Sequence, residues 1–243
     1  MQLVLLAAGR GARLKSKTKK IPKCLVKVSG KPIINYNNLF FKKFKKKIAV
    51  IGYKSLKLRK YLQEYNFLQI YNKKFLQTNM VESMFLAKEK ITEKEIVFVY
   101  SDIVFKKTIF ENLKSKYSFL LLNTKWEQLW KKRMGDKFTE DAETVVVKGK
   151  FISSIGEKIK KGRVPPCQYM GIFKLMKKDY LKLYNFYKTI KNKKIDFTSF
   201  INLAIKKEVI NIKYKLTSKL WLEVDNSKDI NIAEKFLTGF YKW

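Results

Sequence analysis

The residues that could do chemistry begin with a small, glycine-rich segment at residues 5–13. An apolar run leads there into Gly9 and Gly11, and Arg10 and Arg13 supply two guanidinium groups beside them. Glycine lets a ligand approach backbone N–H groups closely, and arginine binds phosphate oxygens through paired hydrogen bonds. The segment therefore predicts a phosphate-binding loop, although an ordinary strand-to-helix turn would produce the same local pattern.

Two familiar phosphate-binding motifs do not fit this loop. A dinucleotide fingerprint needs a third glycine where the chain has Leu14, and a P-loop ends in Gly-Lys-Ser/Thr, which no segment of the sequence supplies. The loop therefore indicates a different class of phosphate-binding protein.

Three further side chains could act with the loop. Lys23 follows Pro22, so its ammonium is a candidate for neutralising a polyphosphate, although most of the 49 lysines are expected to lie on the surface. Asp102 and Asp225 each follow a short apolar run, where a carboxylate suits a hard cation such as Mg²⁺. Either aspartate could instead cap a following helix.

The chain is strongly basic. The formal net charge is +34 over 243 residues, which by itself would suggest nucleic acid or an anionic membrane surface. The lysines are scattered along the whole sequence, however, and only five of the 54 cations are arginine. This pattern favours a general compositional bias, and we predict no specific nucleic-acid partner.

The remaining composition limits the chemistry and the compartment. There is no histidine, which excludes Ser-His and Cys-His nucleophilic catalysis and histidine-bound zinc. Two cysteines, Cys24 and Cys167, are too few for a disulfide framework, and no apolar run approaches the roughly 20 residues needed to span a bilayer. We therefore expect a cytoplasmic protein without membrane insertion.

The elements that must position these residues follow a regular alternation in the first half of the chain. Helical patterns near 33–44, 56–65, 81–90 and 108–116 alternate with predicted strands at 2–7, 47–52, 68–71, 95–100 and 118–122. This rhythm predicts an α/β fold with a doubly wound, mainly parallel, Rossmann-like sheet. Ligands of such sheets bind beyond the carboxyl ends of the strands, so residues 9–13 should lie near Asp102.

After about residue 140 the pattern becomes mixed α+β. We predict a hairpin at 144–147 and 151–155, strands at 169–173 and 220–225, and helices at 179–189, 197–205 and 227–240. No linker interrupts the chain, which predicts one domain over 1–243 with halves at about 1–140 and 141–243.

Three motifs in order resemble the N-terminal signature of the nucleotidyltransferases, which join a nucleotide to a sugar phosphate or small alcohol phosphate. They are residues 6–14, Pro22–Lys23 and residues 28–32, and the resemblance continues through residues 78–80, 101–102, 141–143, 156–158, 169–171 and 221–225. Within the family, the Ser-Asp-Ile, Asp-Ala-Glu and Glu-Val-Asp elements and the short length are most similar to the cytidylyltransferases. Those enzymes use choline phosphate, aminoethylphosphonate or related small acceptors.

The resemblance implies Mg²⁺-dependent transfer of CMP from CTP to a small phosphate or phosphonate, with release of pyrophosphate, for glycan or capsule decoration. It implies that Arg13 and Lys23 are catalytic and that Asp102 and Asp225 hold Mg²⁺. The implied nucleotide-binding residues also include Leu6, Ala7, Ala8, Gly9, Gly11, Thr78, Asn79, Met80, Ser83 and Ser101. The implied acceptor-binding residues are Glu143, Lys158, Tyr169 and Gly171.

The identity of the acceptor is the least determined part of this prediction. Carboxylates and aromatic rings that could bind an ammonium group are Asp141, Glu143, Trp126, Trp130, Tyr169 and Trp221, although spacing favours core packing for Trp126 and Trp130. Gln168 stands where similar sequences often carry an acid, which makes an amino-acid phosphate such as glutamine phosphate a candidate. The alternatives are a sugar-1-phosphate nucleotidyltransferase using UTP or dTTP, and a basic nucleic-acid-binding protein.

Overall fold

The structure is a computed structural model that describes residues 1–140, 142–159 and 164–240. Its strands are β1 (Gln2–Ala7), β2 (Lys27–Val28), β3 (Lys31–Pro32), β4 (Lys46–Ile51), β5 (Leu68–Tyr71), β6 (Glu95–Tyr100), β7 (Ile103–Phe105), β8 (Phe119–Asn123), β9 (Glu143–Lys148), β10 (Phe151–Lys158), β11 (Gln168–Met176), β12 (Lys213–Thr217) and β13 (Trp221–Glu223).

The α-helices are α1 (Asn38–Phe41), α2 (Ser55–Glu64), α3 (Met80–Leu86), α4 (Trp126–Met134), α5 (Lys177–Thr189), α6 (Phe197–Lys206) and α7 (Ser227–Phe240). Short 3₁₀ helices cover Ala12–Thr18, Lys23–Leu25, Ile33–Asn37, Lys88–Lys90, Lys107–Leu113 and Gly135–Lys137. In the part of the chain described here, no helix has the length and apolar character needed to cross a membrane.

The described residues build a sheet of nine strands in the order β5-β4-β1-β6-β11-β8-β12-β10-β9. Strands β5, β4, β1 and β6 are parallel, β11 runs antiparallel between β6 and β8, and β12 is parallel to β8. All but β10 and β11 therefore point in the same direction. This confirms the predicted α/β class with a mainly parallel sheet.

Strand β1 lies at the centre of the parallel half and is buried over its full length. Leu3 and Leu5 pack into the hydrophobic core on one face of the sheet, and Val4 and Leu6 pack into the core on the other face. Apolar side chains on both faces are typical of a parallel sheet covered by helices on two sides. The loop after β1 is thereby held on a rigid support.

Two predicted helices form differently in the structure. The pattern over 33–44 becomes the 3₁₀ helix Ile33–Asn37 followed by the single turn of α1, and the pattern over 108–116 becomes the 3₁₀ helix Lys107–Leu113. Asn37 explains the first case, because its buried amide donates to the carbonyl of Ile103 at 2.7 Å. Such tertiary bonds stabilise a tighter turn that apolar spacing alone does not indicate.

A small antiparallel pair of strands, β7 and β13, was not predicted as a pair and brings the two candidate metal ligands together. Trp221 lies opposite Phe105 and Glu223 opposite Ile103, and the N–H of Val224 donates to the carbonyl of Asp102 at 3.2 Å. The pairing therefore holds Asp102 beside Asp225.

Candidate active site

Two cavities open at the carboxyl ends of the parallel strands. The first cavity has a volume of about 170 Å³ and is lined by Leu6, Ala8, Gly9, Gly11, Lys23, Asn72, Phe75, Thr78, Asn79, Met80, Ser83, Tyr100, Ser101 and Asp102. The second cavity has a volume of about 210 Å³ and is lined by Arg13, Met80, Tyr100, Ile103, Trp130, Glu143, Gln168, Tyr169, Met170, Gly171, Asp196, Phe197, Thr198, Trp221, Glu223 and Asp225. The cavities adjoin, since Met80 and Tyr100 belong to both walls.

The two glycines of the loop have different physical roles. A β-carbon at Gly9 would meet nothing within 4 Å, so this position faces open space at the first cavity. Gly11 has a φ of +65°, and a β-carbon there would lie 2.7 Å from the β-carbon of Lys23. Glycine at position 11 therefore permits both a left-handed turn and the passage of the Lys23 side chain.

Lys23 joins the two carboxylates that follow β6 and β13. Its ammonium donates to Oδ2 of Asp102 at 2.6 Å and to Oδ1 of Asp225. Arg13 lies 3.0 Å from the other carboxylate oxygen of Asp225. The structure thus brings the four charged residues singled out in the sequence into one cluster at the boundary between the cavities.

Burial and neighbouring charges set the protonation of this cluster. Burial opposes a charged Lys23, but the carboxylates of Asp102 and Asp225 raise the pKa of its ammonium well above the usual range. Burial also opposes ionisation of Asp225, yet Lys23 and Arg13 hold the pKa of this carboxyl below its usual value. Lys23 and Asp225 are therefore both charged at neutral pH.

Glu223 behaves in the opposite way. Burial, together with the charges of Asp225 and Asp102, raises the pKa of the Glu223 carboxyl well above its usual value, although Arg133 opposes the shift. The Glu223 carboxyl therefore retains its proton to a higher pH than an exposed glutamate does.

Polar side chains also line the first cavity where β5 ends. The amide of Asn72 is buried and donates to the hydroxyls of Thr78 and Ser83 at 3.2 and 3.1 Å. Asn79 begins α3 as its N-cap, with its side chain accepting from the N–H of Met80 at 2.8 Å. Glu82, in the first turn of α3, accepts from the hydroxyl of Tyr187 at 2.9 Å.

Sequence reasoning missed Asn72, Phe75 and Tyr100 in the first cavity. Asn72 directly follows β5, so the strand-end argument used for Asp102 could have found it. Phe75 and Tyr100 carry no comparable signal, because apolar and aromatic residues are common throughout the chain.

The second cavity is lined by acids and aromatic rings. The Thr198 hydroxyl lies 3.0 Å from Oε1 of Glu143 and 3.0 Å from Oδ1 of Asp196. Gln168 is buried and pairs with the Glu143 backbone, accepting from its N–H at 3.1 Å and donating to its carbonyl at 2.5 Å. A carboxylate at position 168 could not donate the second bond, so glutamine here fixes the backbone of Glu143.

The aromatic candidates divide into two groups. Trp126 is buried and its indole N–H donates to the carbonyl of Pro165 at 3.0 Å, which agrees with the packing role expected for it. Trp130 stacks on Trp221 with ring centroids 5.0 Å apart, and both line the second cavity. Packing is therefore an incomplete description of Trp130.

Tyr169 and Gly171 also line the second cavity, and both contact Tyr100. The rings of Tyr169 and Tyr100 meet edge to face, with centroids 5.8 Å apart. Gly171 has a φ of +76°, and a β-carbon there would lie 2.9 Å from the Tyr100 ring. Gly171 therefore allows Tyr100 to stand between the two cavities.

Among the described sequence candidates, Ala7, Arg10, Trp126 and Lys158 are not on the walls of these cavities. Ala7 is buried in the core behind the loop. Lys158 lies opposite Glu143 on the β9–β10 pair, but its side chain is exposed and does not line the second cavity. Asp141 lies outside the described residues.

The carboxylates can be tested for their fit to a divalent cation. Within residues 1–140, 142–159 and 164–240, no three or more His, Cys, Asp or Glu side chains form a metal-binding group. Mg²⁺, however, is commonly held by one or two protein carboxylates together with substrate phosphates. Oδ1 of Asp102 is buried without a hydrogen-bond partner, so Asp102 and Asp225 fit this mode of binding.

The fold and this pair of cavities define the class of protein. Residues 3–120 match the family model described as the MobA-like NTP transferase domain. The chain is also 32% identical to the CTP:phosphoglutamine cytidylyltransferase of Campylobacter jejuni over 251 residues, covering 96% of this chain and 98% of that protein. The chain therefore belongs to the nucleotidyltransferase family, as its motifs predicted.

The similarity is shared with other cytidylyltransferases. A choline-phosphate cytidylyltransferase of Streptococcus pneumoniae is 31% identical over 99 residues, which are 40% of this chain and 43% of that protein. The solved inositol-1-phosphate CTP transferase from T. maritima superposes with a TM-score of 0.76 at 21% identity, covering 94% of this chain and 90% of that one. The CTP:phosphocholine cytidylyltransferase from Streptococcus pneumoniae has a TM-score of 0.76 at 20% identity, with coverages of 97% and 98%. The solved structures show a shared fold.

Proposed function

We propose that this chain transfers CMP from CTP to a small phosphorylated acceptor that carries an amino group, with phosphoglutamine as the first candidate, and releases pyrophosphate. One observation carries the proposal. Two adjoining cavities meet at the cluster of Lys23, Asp102, Asp225 and Arg13, which is where a phosphate from each substrate has to come together. The cytidylyltransferases that this chain resembles support CTP as the donor.

The first cavity is the proposed CTP site. The backbone at Ala8, Gly9 and Gly11 would bind the triphosphate, because open space at Gly9 lets phosphate oxygens approach N–H groups. The polar side chains of Thr78, Asn79 and Ser83 would hold cytosine and ribose on the opposite wall.

The proposed reaction needs no protein nucleophile. An acceptor phosphate oxygen attacks the α-phosphorus of CTP and forms a new P–O bond, while the bond from the α-phosphorus to its bridging oxygen breaks. The electron pair of that bond leaves with pyrophosphate. Lys23 and Arg13 would stabilise the negative charge that develops on the phosphates, because fixed cations are the main source of catalysis in such transfers.

Asp102 and Asp225 are the residues that would hold Mg²⁺, which neutralises phosphate charge when bound. Both carboxylates contact the Lys23 ammonium in the structure. These contacts hold the Lys23 ammonium at the boundary between the two cavities, where the phosphates of the two substrates would meet.

The second cavity is the proposed acceptor site. Glu143 and Asp196 give it two carboxylates apart from Asp225, and these favour an acceptor with a positively charged amine. Arg13 at the same wall offers a guanidinium to the acceptor phosphate. Phosphoglutamine carries a phosphoryl group and an α-ammonium, and it is the acceptor named for the relative that matches nearly the whole chain.

The cellular setting is part of the same proposal. Nucleotide-activated small phosphates are suited to decorating surface glycans, and CTP is available in the cytoplasm, where we propose that the reaction takes place. The free thiols of Cys24 and Cys167 are compatible with a reducing compartment.

A substrate matrix tests the proposal. Pyrophosphate release is measured with Mg²⁺ for CTP, UTP, dTTP, ATP and GTP, each against phosphoglutamine, phosphocholine, aminoethylphosphonate and hexose-1-phosphates. We expect the highest kcat/KM for CTP with an aminated acceptor, and loss of the reaction with EDTA. A preference for UTP or dTTP with a hexose-1-phosphate would overturn the proposed substrates, and no release from any pair would overturn the activity.

A further inference from the structure

Arg133, on helix α4, is a buried cation that the sequence motifs do not include. Its side chain is only 3% exposed, and its guanidinium binds Asp229 of helix α7 through two bonds, from Nε to Oδ1 at 2.8 Å and from Nη2 to Oδ2 at 2.9 Å. Asp229 is 1% exposed. A paired, planar contact of this kind fixes both the position and the angle of the carboxylate.

Asp229 in turn fixes the backbone of Asp225. Its Oδ2 also accepts from the N–H of Asp225 at 2.8 Å and from the N–H of Asn226 at 3.1 Å. These bonds shape the turn that leaves β13, and the carboxylate of Asp225 extends from that turn to Lys23 and Arg13. The orientation of Asp225 therefore depends on an oxygen that Arg133 holds.

Arg133 also contacts β13 indirectly, through Trp130. Its guanidinium lies 4.5 Å from the centre of the Trp130 ring, and Trp130 stacks on Trp221 at the start of β13. Its Nη2 lies 3.8 Å from Oδ2 of Asp225 itself. An Arg133–Asp229 ion pair that only joined α7 to α4 would require neither the bond from the Asp225 N–H to Asp229 nor the contact of Arg133 with the Trp130–Trp221 stack.

We propose that Arg133 is a positioning residue for the reaction, acting through Asp229 and the Trp130–Trp221 stack to hold Asp225 in the orientation that binds Lys23 and the metal ion. This inference rests on the proposed function. It goes beyond the proposed function because Arg133 lines neither the first nor the second cavity.

The test uses a readout besides turnover. Mn²⁺ is titrated into the full-length protein saturated with a CTP analogue that has a methylene group between the α- and β-phosphorus, and free Mn²⁺ is followed by electron paramagnetic resonance. The variants are Arg133→Met, Arg133→Lys, which keeps the charge without the paired geometry, and the double variant Arg133→Met with Asp229→Asn. The double variant leaves no unpaired buried charge, so it keeps the test usable if Arg133→Met does not fold. Lys131→Met, an exposed cation on the same helix, is the matched control.

We expect Mn²⁺ affinity and kcat to fall by about tenfold or more in the Arg133 variants, as is typical when a partner that orients a metal ligand is removed. KM for CTP at saturating Mg²⁺ should stay near the wild-type value. Folded Arg133 variants that match Lys131→Met in Mn²⁺ affinity and kcat, with only a lower melting temperature, would overturn the inference. If the wild-type protein releases no pyrophosphate, the proposed function fails, and the Mn²⁺ titration alone then decides the role of Arg133.

Discussion

The β-carbon of Lys23 lies so close to Gly11 that no other residue fits at position 11. A β-carbon on residue 11 would stand 2.7 Å from it, and the left-handed backbone adds a further penalty for any L-residue with a side chain. The glycine-rich loop therefore leaves room for the side chain of Lys23, a candidate catalytic residue, and also lets phosphate approach the backbone.

This relationship makes the two loop glycines separable by experiment. Gly11→Ala should destabilise the protein by about 1–2 kcal/mol or more from backbone strain and displace Lys23, so kcat should fall. Gly9→Ala should leave the melting temperature unchanged and raise KM for CTP, because the methyl group enters open space in the first cavity. Thermal melts and steady-state kinetics measure both effects. If the two variants have the same melting temperature, kcat and KM for CTP, the two glycines do not have different roles.

Lys23→Ala should abolish turnover while the protein still folds. We expect kcat at saturating CTP to fall by about 100-fold or more, because a preorganised cation is lost. Asp102 and Asp225 would then face each other without the ammonium, so Mg²⁺ should raise the melting temperature of Lys23→Ala more than that of the wild type. Lys20→Ala, an exposed neighbour, is the control. A near-normal kcat for Lys23→Ala would remove Lys23 from the mechanism.

Glu143→Gln should weaken binding of the acceptor and leave binding of CTP unchanged. A hydrogen bond to a charged group contributes about 1.5–3 kcal/mol, which corresponds to a rise in KM for an aminated acceptor of about tenfold or more. KM for CTP should not change, because Glu143 lines only the second cavity. Glu140→Gln, on the surface, serves for comparison. If KM for the acceptor is the same in both variants, Glu143 does not bind the amine.

The raised pKa of Glu223 predicts a pH-dependent gain in stability for Glu223→Gln. Above about pH 4.3 the unfolded chain loses a proton from Glu223 while the folded protein keeps it, so the free energy of unfolding of the wild type falls as pH rises toward the folded pKa. Glutamine removes this loss. Denaturant melts at pH 4 and pH 8 measure the free energy of unfolding. Relative to wild type, Glu223→Gln should be more stable at pH 8 than at pH 4, whereas the control Glu64→Gln, at an exposed position, should show no such difference. A gain that is the same at both pH values would contradict the assignment.

Both thiols should be unreactive in the folded protein. Burial raises the pKa of Cys24 to about 12 and that of Cys167 to about 11. At pH 8 the thiolate fraction is then on the order of one in a thousand or lower, and the thiolate is the nucleophile. Mass spectrometry after iodoacetamide treatment should find no label on the native protein and two labels in denaturant. Labelling of the native protein at either cysteine would show that its burial is incomplete.

The parts of the site that follow from the sequence are those set by local patterns. Gly9 and Asp102 each lie two residues beyond the end of an apolar strand. The carboxyl ends of neighbouring parallel strands lie at one edge of a sheet, so the proximity of these two residues could be predicted. The four strands of the parallel half, β1, β4, β5 and β6, could be predicted from the same alternation of apolar runs and helical patterns.

The parts that could not be predicted depend on distant contacts. Arg133 and Asp229 are 96 positions apart, and nothing in either local sequence indicates the partner. Strand β12 carries lysines at Lys213 and Lys215, which hide its strand pattern. The 3₁₀ helix at Ile33–Asn37 depends on bonds from Asn37 to β7, which apolar spacing does not reveal.

The most direct test of the central claim follows the oxygen atoms of the acceptor. Phosphoglutamine with three ¹⁸O atoms on its phosphoryl group is incubated with CTP, Mg²⁺ and the protein, and the products are measured by mass spectrometry. Direct attack on the α-phosphorus predicts a CMP conjugate that keeps all three labelled oxygens and pyrophosphate that carries none. Label in the pyrophosphate, or unlabelled CMP as the only nucleotide product, would contradict the account.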